Sequence, residues 1–133
     1  MGFGIKLMIL AVMLWLHIVD DYYLQGILAK LKQKQWWQEN TSNKLYKDDY
    51  KIALIEHAFS WAFVIMIPVA ACILMKYINA HPITYIIMLI SNTLIHAYID
   101  NEKANKHTIN LILDQSVHFY QIIITWLVFF IIL

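Results

Sequence analysis

The chain has 133 residues, 61% of them hydrophobic and only 14% charged. About half of a soluble globule's residues are apolar, so this excess excludes a soluble globule of this size and assigns the chain to a lipid bilayer. The net charge is +1 and every basic residue is lysine. The lysines form no compact basic domain, so nucleic-acid binding finds no support, and without arginine there is no bidentate clamp for phosphate or carboxylate.

Four apolar runs are long enough to cross about 30 Å of hydrocarbon, and in lipid their backbone groups must be paired within helices. The first run spans 3–25. It begins with Lys6 like a secretion signal, but no small-residue cleavage site follows, so it is expected to be retained. The long connection 26–51 is rich in Lys and Gln. Within it, 27–38 carries Trp36 and Trp37 and is predicted to be an interfacial amphipathic helix, broken at Asn40-Thr41-Ser42-Asn43. The second run spans 52–78 and contains Pro68, a potential kink. Asn79-Ala80-His81-Pro82 reads as a tight turn into the third run, 83–100. A polar link, 101–110, leads to the fourth run, 111–133. These elements predict an all-α fold, a four-helix transmembrane bundle forming a single domain over 1–133. The lone cysteine, Cys72, excludes an internal disulfide and reads as a small core hydrophobe.

Lysine placement predicts orientation. Lys30, Lys32, Lys34, Lys44, Lys47, Lys51, Lys103 and Lys106 fall in the first and third connections, against Lys6 and Lys76 on the opposite side. The positive-inside rule then places both connections in the cytoplasm and both termini outside.

Ionisable residues recur within these apolar runs at helical spacing: His17 with Asp21, His96 with Asp100, and Asp114 with His118, while the second run adds Glu56 and His57. Residues four apart project from one face of a helix. Each costs roughly 2.5 to 3.5 kcal/mol in the hydrocarbon. One such pair is more often a helix-stabilising contact than a ligand pair. The predicted topology, however, brings all of them to one layer, about 5 to 12 Å below the cytoplasmic interface at 1.5 Å per residue. A divalent metal held by His17, Asp21, His57, His96, Asp100, Asp114 and His118 would offset the cost. The ligands are too many for one tetrahedral ion, so two ions are expected, with zinc the best match and manganese or iron also compatible.

The pairs extend into polar stripes. Gln25, Asn92 and Asn110, with Gln115 beside them, are placed to orient imidazoles and carboxylates, and Ser60 and Gln121 could supplement them. Asp20 points about 100° away from Asp21. Glu56 is the expected general base, Asp20 is a second catalytic candidate, and Asp20 or Glu56 completes the negative charge opposite two ions. His81 and His107, in loops, receive no role. Asp48 and Asp49 read as a solvated helix start before Tyr50. Trp15, Trp61, Trp126 and the methionines read as packing or interface residues.

The run His17-Ile18-Val19-Asp20-Asp21-Tyr22-Tyr23-Leu24-Gln25, then His57, His96-Ala97-Tyr98-Ile99-Asp100 and Asp114-Gln115-Ser116-Val117-His118 resembles a family of small bacterial and phage membrane proteins, the domain of unknown function 3307. The likeness spans nearly the whole chain. It implies a compact helical protein of the bacterial inner (cytoplasmic) membrane and carries no established activity. The architecture and His/Asp usage are also similar to inner-membrane metal-dependent hydrolases.

The expected function is a membrane-embedded, dinuclear metal-dependent hydrolase. Its substrate would be a lipid-linked ester or phosphoester entering from the cytoplasmic leaflet, with Lys30, Lys51, Lys103 and Lys106 attracting its phosphate. The alternative is a metal-ion or proton transporter or channel using the same residues; against it, the outer half of the spans offers few polar groups beyond Thr84, Thr125 and Lys76. Bis-histidine haem binding is a third option that the carboxylates argue against. The bilayer is the expected partner, and self-association is open.

Overall fold

Breakers and caps in the sequence account for where each helix starts and stops. The computed structural model describes all 133 residues and contains helices and no strands. Helix α1 spans Phe3–Val19 and continues into a π-helical turn, Asp20–Leu24, closed by the Gln25 amide on the Asp20 carbonyl at 3.1 Å. Gly26 then turns the chain with φ of 43°, a left-handed conformation that suits glycine. Two short helices follow, α2 (Leu28–Leu31) and α3 (Lys34–Asn40), and a 3₁₀ turn at Lys44–Tyr46. The segment 27–38 is therefore helical in two pieces, with its break at Lys32 and Gln33. Trp37 stacks on Tyr46, with ring centroids 6.3 Å apart.

Helix α4 (Asp49–Leu74) runs through Pro68 without interruption and ends four residues before the expected boundary. There Lys76 adopts φ of 60° and the Tyr77 amide folds back onto the Cys72 carbonyl at 2.8 Å, a left-handed helix stop. Helix α5 (Pro82–Ala104) starts where Pro82 fits the first turn and the Nδ1 of His81 accepts the Ile83 amide at 3.2 Å, so His81 is a cap. At its other end it absorbs Asn101 to Ala104, which the sequence reading left in the connection. Helix α6 (Leu111–Leu127) ends in a second π-helical stretch, Val128–Ile132.

The four long elements are each apolar and long enough to cross a membrane. They close a ring in which α4 packs between α1 and α5, and α6 packs between α5 and α1, while α2 lies on α4. Small residues let α4 and α5 approach closely, with Ala58 and Ala97 packed together beside Leu54. The burial pattern is inverted relative to a soluble bundle. His17, His57, His96, His118, Asp20 and Asp114 have no exposure, whereas Met8, Phe59, Phe63, Ile86, Ile87 and Leu94 face outward. An apolar exterior around a polar interior is what a lipid solvent selects. Away from the polar layer, the interior is largely apolar, built on Met13, Ile65, Met66, Val69, Ile122 and Phe129 around the buried polar residues Asn92, Gln121 and Thr125.

Candidate metal centre

Each of the four spans contributes to one buried layer. From α4, His57 presents Nε2 to the middle of the ring, 2.8 Å from Asp100 Oδ2, 3.3 Å from His96 Nε2 and 3.8 Å from Asp21 Oδ1. His96 Nε2 is itself 3.5 Å from the same Asp100 oxygen, one helical turn along α5. Ligand atoms about 2.0 to 2.1 Å from a tetrahedral ion lie about 3.3 Å from one another. The spacings bracket that value.

Asp100 turns its other oxygen the opposite way. Its Oδ1 lies 3.6 Å from His118 Nε2, which lies 3.5 Å from Asp114 Oδ1. Neither His118 Nε2 nor Asp114 Oδ1 has a hydrogen-bond partner, although both are buried. At the far side of the His118 ring, Nδ1 meets Gln121 Oε1 at 3.4 Å, while Nε2 is directed into the layer toward the Asp100 and Asp114 carboxylates. Two sets of potential ligands result: Asp21, His57 and His96, and His96, Asp100 and His118.

Two lysines supply positive charge. Lys32, from the break between α2 and α3, reaches in with its Nζ 2.5 Å from Asp100 Oδ2 and 2.7 Å from His57 Nε2. Lys103, one turn beyond Asp100 on α5, bonds Asp114 Oδ2 at 2.7 Å. The rings are also stacked. Trp61 lies on His96 with centroids 4.2 Å apart, and His96 lies on His118 at 4.0 Å. This stack separates the polar layer from the apolar interior.

Several expected site residues have other duties. Both ring nitrogens of His17 are taken: Nδ1 accepts the Trp61 indole N–H at 2.7 Å and Nε2 donates to Gln115 Oε1 at 3.0 Å, leaving no lone pair for an ion. Glu56 is exposed and faces away from the layer, because residues adjacent on a helix diverge by about 100° and His57 takes the inward direction. Asp20 is buried, but its carboxylate is bound by Gln25 and by Ser60 Oγ at 3.2 Å, outside both ligand sets. The π-helical turn produces this pairing, giving Gln25 to Asp20 rather than to Asp21. Asn92 lies deeper, bonded to Thr125 Oγ1 at 2.9 Å and to Gln121.

Asn110 is the N-cap of α6, its side chain accepting the Leu113 amide at 2.9 Å, and orients no ligand. Asn110→Ala is therefore expected to lower stability by about 1 kcal/mol with no change in metal content, checked by thermal unfolding in detergent alongside elemental analysis.

Gln115 does orient the site. Besides its bond with His17, its Nε2 donates to Asp21 Oδ2 at 3.2 Å and to Asp114 Oδ2 at 3.0 Å. The roles of Trp61 and Lys103 here went beyond the sequence reading, yet both carried a signal: Trp61 is four residues from His57 and Lys103 three from Asp100, hence on the same faces. Lys32 carried none.

Fold and site together define an all-α protein with four candidate membrane spans and a buried His/Asp cluster that could bind metal. The chain matches no family model, no curated protein and no solved structure.

Proposed function

We propose that this protein is a membrane-embedded metal-dependent hydrolase holding two divalent ions, most suitably zinc, and acting on a lipid-linked ester or phosphoester. The observation that carries this reading is the surroundings of His57 Nε2. A ring nitrogen has either one proton to give or one lone pair to offer. Here it faces an ammonium at 2.7 Å and a carboxylate oxygen at 2.8 Å at once, with a second imidazole nitrogen at 3.3 Å. The Lys32 ammonium, with three N–H donors, meets both the His57 lone pair and the Asp100 carboxylate. A divalent cation among unprotonated nitrogens and carboxylate oxygens would meet the same two atoms and His96 Nε2 as well.

In this reading His57 and His96 with Asp100 would hold one ion, and His118 with Asp100 and Asp114 would hold the other. Divalent ions in such a pair supply Lewis-acid polarisation and an activated water near neutral pH. Of the four aspartates in the layer, Asp21 is the most exposed, at 12%. It, rather than the outward-facing Glu56, would be placed to accept a proton from a water at the site. The lysine-rich connections flank the same end of the bundle, which supports entry of an anionic headgroup there and, by the positive-inside rule, a cytoplasmic placement of the site with both termini outside. The likeness to small bacterial and phage membrane proteins, and with it an inner-membrane location, belongs to the same proposal and rests on the His/Asp runs quoted above.

Transport of cations or protons through the same residues needs a polar route across the rest of the bundle. Beyond Trp61 the interior is mostly Met13, Ile65, Met66, Val69 and Phe129, and the polar residues Asn92, Gln121 and Thr125 bond to one another, with Gln121 also meeting His118 at 3.4 Å. Detergent-purified protein is expected to carry about two ions per chain by elemental analysis, and to cleave a lipid-linked phosphoester or ester in mixed micelles until chelator is added. Absence of metal, or metal or proton flux in liposomes with no turnover of any such lipid, overturns the reading.

A further inference from the structure

Lys32 stands where a ligand-bound cation would stand. Its Nζ lies 2.5 Å from Asp100 Oδ2 and 2.7 Å from His57 Nε2, two atoms of the first ion position, and its side chain is 13% exposed. The reach is arranged by the backbone. Asn105, past the end of α5, donates from Nδ2 to the Lys32 carbonyl at 3.1 Å and accepts the Lys34 amide on Oδ1 at 2.7 Å, gripping the break between α2 and α3 from both sides. Gly26 at the other end turns α2 back onto α4. A four-carbon stem is long enough to withdraw without unfolding either helix, and the neighbouring Lys30 and Lys34 are already exposed.

From this we infer that Lys32 is a built-in competitor for the first metal position: its ammonium closes the centre in the metal-free protein and is expelled to the rim when an ion enters. The inference rests on the metal-centre reading and adds its regulation. An ion and an ammonium cannot both occupy the space between Asp100 Oδ2 and His57 Nε2, so the metal binds only the fraction of molecules with Lys32 withdrawn. Apparent affinity falls in proportion to that fraction. Asn105 sets the fraction, because it holds the backbone from which Lys32 projects.

The test is zinc titration of the full-length, chelator-stripped protein in detergent, comparing wild type, Lys32→Met and Asn105→Ala. Lys32→Met keeps the apolar stem and removes the charge; it is expected to bind zinc about tenfold or more tightly, and Asn105→Ala to shift in the same direction by less. Independently, acylation of lysines in the wild-type protein, read by peptide mass spectrometry, is expected to show Lys32 protected without zinc and labelled with it, while Lys30 and Lys34 react equally in both states. Unchanged affinity in Lys32→Met together with zinc-independent protection of Lys32 overturns the competitor and leaves the metal centre standing. Failure of both wild type and Lys32→Met to bind zinc overturns the centre and the competitor together.

Discussion

On the proposed two-ion reading, Asp100→Asn is expected to empty the centre. Asp100 is the one acid that meets three imidazoles, with Oδ2 2.8 Å from His57 and 3.5 Å from His96, and Oδ1 3.6 Å from His118. The substitution keeps shape and volume while removing the negative charge and giving one of the two positions an N–H₂ group, which cannot ligate. Loss of a group that merely orients a ligand weakens metal binding by 10- to 100-fold; loss of a bridging ligand is expected to exceed about a hundredfold on that scale, leaving background metal by elemental analysis. Glu56→Gln, on the exposed side of α4, is expected to keep its metal. The alternative, that Asp100 is only the structural partner of Lys32, makes a different prediction. Breaking a buried ion pair destabilises by about 3 to 5 kcal/mol, so both accounts lower the unfolding temperature of Asp100→Asn, but only a metal centre makes the wild-type unfolding temperature fall on adding chelator. Full metal retention in Asp100→Asn refutes the bridge.

The four long helices were legible because apolar runs of that length have little choice but helix in hydrocarbon, and the His/Asp stripes because four residues return a side chain to the same face. What periodicity cannot see is which partner takes each polar atom. His17 belongs to the stripe as firmly as His96 does, yet Trp61 and Gln115, from two other helices, use both its nitrogens. Asn110 also continues a stripe, but an Asn immediately before an apolar helix is equally a cap, and the local bond to Leu113 decides in favour of the cap. Asp20 and Asp21 could be separated only by the π-helical turn, a single extra residue in the hydrogen-bond ring that gives Gln25 to Asp20. Lys32 was invisible for a further reason. Its reach depends on a break in a short helix and on Asn105, more than seventy residues away, and no spacing within one segment encodes either.

Trp61→Ala is expected to produce the largest loss of stability of any single packing change in the bundle. The indole is completely buried, lies flat on His96 with rings 22° from parallel, and donates to His17 Nδ1. Truncation removes the wall between the polar layer and the apolar interior, and a Trp-to-Ala cavity costs about 3 to 5 kcal/mol. Trp61→Phe separates the two duties of the side chain, since a phenyl ring retains the stack but leaves His17 Nδ1 without its donor, at about 1 to 3 kcal/mol. If His17 acts only through Gln115, which in turn bonds Asp21 and Asp114, then Trp61→Phe unfolds at lower temperature and still binds metal at full stoichiometry, and His17→Gln does the same. Metal loss in His17→Gln with the helical content intact would return His17 to the ligand set and require that the indole bond be broken when the ion binds.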